Sequence, residues 1–201
     1  MVDLHFESAL ADRPPPKNTS IAMREISERG MIDLRGQTTD KKFMAAAKSA
    51  LGVELPKTPR TSTSWGDVQV LWLSTDQWLV LCGRARVGTM LADLRQTLGT
   101  VHSLAVDVSD MRAIIRLEGE GVRETLMKGS TLDLISDDYE PGTVRRMRFT
   151  EIAALLHVVE TNTVDVYVFR SYADYAWEFL QKAARQGSEV KLFPNAGQAL
   201  D

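Results

Sequence analysis

Hydrophobic positions along the chain switch repeatedly between a spacing of two residues and a spacing of about 3.6. Alternation with a period of two is typical of strands, and a period of 3.6 is typical of amphipathic helices. The pattern predicts four successive units, each made of two strands followed by a helix. The strands are predicted at 21–26, 31–35, 68–73, 77–82, 104–108, 113–117, 152–159 and 164–169.

Apolar residues at helical spacing follow each predicted strand pair, and the third helix is predicted from about residue 120 to residue 127. The apolar faces of the others are predicted to contain Phe43, Met44, Ala47, Ala50 and Leu51 in the first helix, Val87, Leu91, Leu94 and Leu98 in the second, and Tyr172, Tyr175, Phe179 and Ala183, widened by Ala176 and Leu180, in the fourth.

Residues that favour helix ends lie beside these segments. Thr38 or Thr39 is predicted to cap the first helix, because a hydroxyl oxygen can accept hydrogen bonds from the first turn. Ser171, with Asp174 three residues later, is close to a capping box and is predicted to open the fourth helix. The residues predicted to end helices are Gly52, Gly99 and Gly129.

Short polar turns join the paired strands, so the pairs are predicted to be antiparallel hairpins, since a parallel crossover needs a dozen or more residues. Helices that follow hairpins pack on sheets as layers. The sequence therefore predicts an α+β fold of repeated strand-strand-helix units, with mainly antiparallel sheets covered by helices. This arrangement is favoured over a doubly wound parallel sheet.

Proline and polar residues mark the predicted domain limits. Three consecutive prolines from residue 14 to residue 16 predict an extended N-terminal arm at 1–19. A second irregular stretch is predicted at 56–64. A single α+β domain is predicted at 20–194, followed by a flexible tail at 195–201.

The composition narrows the possible functions. Hydrophobic residues make up 44% of the 201 residues, which is enough for a packed core. The net charge of −3 lacks the basic excess of an electrostatic nucleic-acid binder. The sequence begins without a signal-peptide pattern and contains no apolar run of about 20 residues, so we expect a cytoplasmic protein without a membrane partner.

Common catalytic and metal motifs are missing from the sequence. The segment 119–121 has two glycines, but Glu124 stands where a dinucleotide fingerprint needs a third, so a turn before a helix is predicted. The zinc-ligand types Cys82, His5, His102 and His157 have no paired spacing. We expect Cys82 and His157 to lie in the core and His102 in a loop.

Two charged runs lie close together in the second half of the chain. The acidic run contains Asp133, Asp137, Asp138 and Glu140, and the basic run contains Arg145, Arg146 and Arg148. The acidic run lacks the pattern of an EF-hand loop. The runs could pair with each other or present opposite charges to a partner.

Three residues could line a ligand pocket. They are Asp76, Trp78 and Arg170, although a turn aspartate, a core tryptophan and a solvent-facing arginine are the simpler interpretations. No Gly-x-Ser-x-Gly elbow occurs. We therefore predict no catalytic, cofactor-binding or metal-binding residue in this chain.

Three passages, WLSTDQWLV at 72–80, VDVSDMRAIIRLEG at 106–119 and VFRSYADYAWEFL at 168–180, together resemble the gamma subunit of heterotetrameric sarcosine oxidase. The wider resemblance is to folate-binding aminomethyltransferase domains, such as the T-protein of the glycine cleavage system. It covers roughly 21–194. The resemblance implies an α+β fold and a four-subunit enzyme that demethylates sarcosine to glycine, produces hydrogen peroxide and transfers the one-carbon unit to tetrahydrofolate.

The resemblance also implies where the chemistry of such a complex lies. FAD, FMN, NAD, tetrahydrofolate and zinc would be bound by the partner alpha, beta and delta subunits, and this chain would be a structural subunit without an active site of its own. T-protein-like relatives that bind folate are longer, with further domains around the cofactor, so no folate-binding residue is transferred to this chain.

Three hypotheses remain open from the sequence. The first is an interaction subunit whose proline-rich arm lies along a neighbouring chain. The second is a free-standing folate-binding or aminomethyl-transfer protein, with Trp78 and Arg170 as pocket residues. The third is an unrelated α+β binding module.

Overall fold

The computed structural model describes residues 6–134 and 139–191. Ten strands lie within these residues: β1 (Ala22–Glu25), β2 (Arg29–Arg35), β3 (Ser62–Trp65), β4 (Val68–Ser74), β5 (Gln77–Gly83), β6 (Leu104–Asp107), β7 (Arg112–Glu118), β8 (Val144–Phe149), β9 (Ile152–Glu160) and β10 (Thr163–Phe169). The helices of the same residues are α1 (Lys41–Leu51), α2 (Val87–Leu98), α3 (Val122–Met127) and α4 (Ala173–Ala183). Short 3₁₀ turns, Arg84–Arg86 and Arg170–Tyr172, precede α2 and α4.

The strands form two five-stranded sheets. The first sheet has the order β3-β4-β5-β2-β6, and the second has the order β1-β7-β10-β9-β8. Neighbouring strands are antiparallel throughout both sheets. The predicted α+β fold with antiparallel sheets is therefore confirmed.

The two sheets pack face to face, and helices cover their outer faces. α1 and α2 pack on the first sheet around Trp78 and Leu94. α3 and α4 pack on the second sheet around Phe149 and Trp177. The space between the sheets, which we call the inter-sheet layer, is filled by Met31, Leu71, Leu73, Leu79, Leu81, Ile114, Val144, Leu155 and Tyr167.

The order of elements repeats once along the chain. β2, α1, β3, β4, β5 and α2 build the first half, and β7, α3, β8, β9, β10 and α4 follow in the same order in the second half. A strand precedes each half and pairs in the sheet of the other half, since β1 pairs with β7 and β6 pairs with β2. The halves therefore exchange edge strands.

This exchange corrects the prediction that every strand pair forms a hairpin. The prediction is right for β4–β5 and β9–β10 and wrong for the other two pairs. The turn at 108–111 carries the chain from the first sheet to the second, and the Val108 N–H donates to the Met31 carbonyl at 2.8 Å. A short polar turn can join two paired strands of one sheet, or it can carry the chain from one sheet to the facing sheet. The residues at 108–111 are therefore compatible with either arrangement.

The helix ends are only partly as predicted. Gly52 and Gly99 end α1 and α2 with positive φ angles of 73° and 52°. Thr38 and Thr39 are not the cap of α1. Asp40 is the cap, and its carboxylate accepts from the backbone N–H groups of residues 42 and 43 at 2.8 and 3.2 Å.

The start and the buried face of α4 also differ from the prediction. Ser171 lies in the 3₁₀ turn and makes no side-chain cap, because the turn itself accepts the Ala173 N–H at the Arg170 carbonyl. Tyr172 and Tyr175 are 45% and 43% exposed. The buried residues of α4 are Ala173, Ala176, Trp177, Leu180 and Ala183.

Two edge strands were not predicted. β3 begins at Ser62, inside the stretch 56–64 that was predicted to be irregular, and β8 carries the basic run. β3 has only four residues and β8 contains three arginines, so the alternation of hydrophobic and polar positions is weak in both strands. In β8 the residues Val144, Met147 and Phe149 are buried, while Arg146 and Arg148 are exposed.

The N-terminal segment contacts the rest of the chain. Leu10 is buried in the core between the second sheet and α4, and Arg13 lies 2.7 Å from Asp174 and 3.1 Å from Glu178. Residues 1–5 and the predicted tail at 195–201 lie outside the described residues, so the domain limits stay predictions. None of the helices in the described part of the chain has the length and apolar composition that a membrane crossing requires.

Candidate functional site

The three pocket residues suggested by the sequence do not meet in one pocket of the described structure. Asp76 lies in the β4–β5 turn and accepts a hydrogen bond from the Ser74 hydroxyl at 2.6 Å. Trp78 is fully buried, and its Nε1–H donates to the Pro56 carbonyl at 2.9 Å. Arg170 is exposed beyond β10 and donates to the Glu7 carbonyl at 2.7 Å. Each makes a hydrogen bond in its own surroundings, apart from the other two.

The potential metal ligands are dispersed. Cys82 is buried in the first core, where burial raises the pKa of its thiol. His102 is exposed in the loop after α2. Among residues 6–134 and 139–191, no group of three or more histidine, cysteine, aspartate or glutamate side chains has the arrangement of a metal site. Asp137 and Asp138 of the acidic run lie outside these ranges.

His157 lies in the inter-sheet layer and connects the two sheets. Its Nε2 is 3.1 Å from the Ser62 Oγ, which also donates to the Gly142 carbonyl at 3.0 Å. When the single hydroxyl proton of Ser62 is used in the bond to Gly142, the Ser62 oxygen can accept from a protonated Nε2 of His157. Its Nδ1 has no partner among the described residues. Burial lowers the pKa of His157 to about 4 and keeps the ring neutral.

Among the residues that the structure describes, none supplies the third group of a catalytic triad to this serine–histidine contact. Asp165 is the cross-strand neighbour of His157, but both of its carboxylate oxygens accept from Arg116, at 2.7 and 2.8 Å. The carboxylate therefore does not orient the imidazole ring, as a triad requires. We interpret Ser62 and His157 as a structural link between β3 and β9.

A second polar region of the inter-sheet layer surrounds a cavity of about 100 Å³, which we call the inter-sheet cavity. It lies where β4 and β5 of the first sheet face β7, β8, β9 and β10 of the second. The lining residues are Leu73, Gln77, Arg112, Arg146, Ala153, Ala154, Leu155, Tyr167 and Phe169. Two arginines, a phenol and the Gln77 amide thus line the cavity together with apolar side chains.

Arg112 is the central charged residue of the inter-sheet cavity. Its guanidinium carbon lies 5.2 Å from the centre of the Phe169 ring. Burial lowers the pKa of Arg112, the Asp33 carboxylate acts in the opposite direction, and the positive charge of Arg146 lowers it further. Sequence reasoning missed Arg112, although it occupies the same strand face as the buried Ile114 and the ion-paired Arg116.

A smaller crevice, of about 20 Å³, lies beside Arg112 and is partly filled by the N-terminal segment. The Arg84 guanidinium lies 3.8 Å above the Phe6 ring and bonds Asp110 at 2.6 Å. Ser8 donates to the Glu25 carboxylate at 2.6 Å. The N-terminal segment is thus held at the junction of the two sheets.

Several large apolar side chains are exposed. Trp65 on the edge strand β3 is 73% exposed, and Leu104 and Val106 lie on the opposite edge strand of the first sheet, β6. Phe169, Tyr172 and Tyr175 are further exposed residues near the start of α4. Exposed aromatic residues of this kind are enriched where proteins bind one another.

The fold is similar to that of chains in two solved structures. A chain of heterotetrameric sarcosine oxidase from Corynebacterium sp. U-96, in complex with pyrrole 2-carboxylate, superimposes with a TM-score of 0.82 at 20% identity, and the match covers 94% of this chain and 99% of that chain. Glycine cleavage system aminomethyltransferase T from Bartonella henselae superimposes with a TM-score of 0.57 at 12% identity. That match covers 79% of this chain and 44% of the aminomethyltransferase.

These similarities establish the class of the fold as an α+β class shared with the aminomethyltransferase. The model of the sarcosine oxidase gamma subunit family matches residues 35–186, which include the three passages singled out from the sequence. The chain belongs to the sarcosine oxidase gamma subunit family. Among curated protein sequences, none matches this chain significantly.

Proposed function

We propose that this chain is the non-catalytic, structural gamma subunit of a heterotetrameric sarcosine oxidase. The complex would demethylate sarcosine to glycine, produce hydrogen peroxide and transfer the one-carbon unit to tetrahydrofolate. The observation that carries the proposal is the family match over residues 35–186. The fold match supports it, because it spans 94% of this chain and 99% of the chain it matches.

The proposal places the cofactors on the partner alpha, beta and delta subunits. FAD, FMN, NAD, zinc and tetrahydrofolate would be bound there. The inter-sheet cavity is not proposed as a tetrahydrofolate site, since its volume of about 100 Å³ is below the 300–1,000 Å³ typical of sites for drug-sized ligands. The serine–histidine contact supports a structural role, because Arg116 occupies the neighbouring carboxylate.

Co-expression with candidate alpha, beta and delta subunits tests the proposal. We expect native mass spectrometry to find one copy of this chain in a four-subunit assembly with sarcosine-dependent hydrogen peroxide production. Omitting the chain should reduce the amount of assembled enzyme, while the flavin content of any remaining assembly stays the same. A chain that runs as a monomer beside its presumed partners would contradict the proposal.

A free-standing folate-binding or aminomethyl-transfer protein is the second candidate. It is favoured only by the fold similarity to the aminomethyltransferase, of which this chain matches 44%. Titration of the full chain with tetrahydrofolate separates the candidates. Micromolar binding by the lone chain favours the second candidate, whereas the absence of both heat and fluorescence change favours the structural subunit.

A further inference from the structure

The charges that line the inter-sheet cavity are unbalanced. Arg112 and Arg146 are on its wall, and among the described residues no carboxylate joins them there. The nearest acidic influence on Arg112 comes from Asp33. Asp33 itself accepts a hydrogen bond from the Gln77 side chain at 2.8 Å and lies 3.9 Å from Arg35. The cavity is therefore positively charged.

Arg112 differs from other arginines at the junction of the sheets. Arg29, Arg84 and Arg170 each donate to an oxygen of the chain, and Arg116 forms a bidentate ion pair. Arg112 makes neither a hydrogen bond nor an ion pair with any residue in the two described ranges. A partly buried guanidinium with five N–H donors normally has acceptors, because burial of an unpaired charge is unfavourable.

The hydroxyl of Tyr167 adds a second unused donor. Tyr167 is 1% exposed and lines the cavity, yet its hydroxyl forms no hydrogen bond within the described part of the chain. The Tyr167 hydroxyl is not among the buried atoms that lack a partner, so it is accessible from the cavity and free to donate to a molecule bound there. One phenol and two guanidinium groups thus converge on a space that can hold an acceptor.

The walls of the cavity restrict the kind of acceptor. Leu73, Ala153, Ala154, Leu155 and Phe169 form apolar surface around the polar groups. A strongly hydrated inorganic anion would lose water against this surface without replacement. A carboxylate with a short apolar body would satisfy both kinds of wall, since a guanidinium binds the two carboxylate oxygens side by side.

We propose that the inter-sheet cavity is a binding site for a small aliphatic monocarboxylate, whose oxygens accept from Arg112, Arg146 and Tyr167 and whose body packs on Leu155 and Phe169. Its volume of about 100 Å³ suits a body of a few carbon atoms, since an apolar cavity of about 150 Å³ takes benzene. The proposed site consists of residues of this chain and does not depend on its role as a subunit.

Titration of the full chain with butyrate at constant ionic strength tests the proposal. We expect calorimetric binding with a Kd of about 1 mM and an upward shift of the thermal midpoint that grows with butyrate concentration. Butyramide, which has the same body without the charge, and inorganic phosphate are the comparisons. Binding of butyramide or phosphate as tightly as butyrate would overturn the proposal, as would no butyrate binding at about 10 mM.

Replacement of Arg112 distinguishes a binding residue from a structural one. Arg112→Met should weaken butyrate binding at least about tenfold, because a charge-assisted hydrogen bond is lost. The same variant should unfold at a higher temperature without ligand, because an unpaired charge is replaced by an apolar side chain. A lower thermal midpoint without ligand, or unchanged butyrate affinity, would overturn the proposal.

Two further variants, both on β8, provide an independent check of the binding site. Arg146→Gln changes an exposed residue of the cavity wall and should weaken butyrate binding several-fold in a folded chain. Arg148→Gln is the matched control, since Arg148 is exposed, bonds Glu151 and is outside the cavity lining. Equal affinities of the two variants for butyrate would overturn the role of Arg146.

Discussion

Arg116 and Asp165 form a bidentate ion pair on the inner face of the second sheet, directly opposite each other on β7 and β10. The Arg116 Nε lies 2.7 Å from Oδ1, and the second guanidinium nitrogen lies 2.8 Å from Oδ2. Asp165 is 3% exposed. The hydrogen bond to Asp165 raises the pKa of Arg116, although burial acts in the opposite direction.

Removal of one partner of this pair should be strongly destabilising. Arg116→Met leaves the Asp165 carboxylate buried without its cation, and we expect a loss of about 3–5 kcal/mol in the free energy of unfolding. Urea denaturation measures this loss. Arg24→Met is the matched control, because Arg24 lies opposite Arg116 on β1 but pairs with Glu118 at the surface, where about 1 kcal/mol or less is expected. If both variants lost the same free energy of unfolding, burial of the Arg116–Asp165 pair would not be the reason for its contribution to stability.

His157 should make the stability of the chain fall in acid. The unfolded chain has an ordinary histidine pKa of about 6.5, whereas burial lowers the pKa of folded His157 to about 4. Between these values the unfolded state binds more protons, so stability decreases as the pH falls from about 6.5 to 4. The difference of about 2.5 pKa units corresponds to about 3 kcal/mol.

Denaturation of the wild type and of His157→Gln at pH 7 and pH 4.5 measures this contribution. The variant should lose less stability than the wild type over this interval, because the buried ring is gone. His102→Gln is the control, since His102 is exposed in a loop, and it should behave as the wild type does. Identical pH dependence in the wild type and in His157→Gln would show that burial of His157 is not the cause of the lower stability in acid.

Gly36 should tolerate no side chain. A Cβ atom at this position would lie 2.3 Å from the Phe43 ring, which is fully buried and packs 5.7 Å from the Trp78 ring. Gly36→Ala should therefore lower the free energy of unfolding by about 1–3 kcal/mol. Gly88→Ala in α2 is the control, because open space surrounds it and alanine favours helix by about 0.5–1 kcal/mol. If Gly36→Ala left the free energy of unfolding unchanged, α1 would be able to shift on the sheet without cost.

The sequence predicted where helices and strands lie better than it predicted which strands pair. Gly52 and Gly99 mark real helix ends, because only glycine easily adopts the positive φ angles found there. The partner of β6 was not predictable from the turn at 108–111, since a corner between facing sheets and a hairpin need the same polar residues. The family resemblance was correct, because its three passages lie within the matched range.

For a related reason, the sequence did not show which polar residues face the inter-sheet layer. In a four-layer fold both faces of a central strand are buried, so alternation does not show which face a residue occupies. Trp78 to Cys82 of β5 are all buried, although they alternate between the helical side and the inter-sheet layer. Arg112 and His157 could be placed only when the facing sheet was known.

The N-terminal arm should contribute to assembly beyond its contribution to stability. Leu10 packs in the second core, so deletion of residues 1–19 removes core contacts as well as any contacts with a neighbouring subunit. Leu10→Ala removes core contacts alone, at an expected loss of about 2–5 kcal/mol. Both variants should be compared at a temperature at which each chain is folded.

Under these conditions we expect the deletion to reduce recovery of the co-expressed assembly several-fold more than Leu10→Ala does. The reason is that the segment extends from the sheet junction at Phe6 along α4, where Arg13 bonds Asp174, and its exposed residues are available to another chain. Affinity purification followed by native mass spectrometry measures the recovery. If Leu10→Ala reduced it as much as the deletion, the arm would act only by stabilising its own domain.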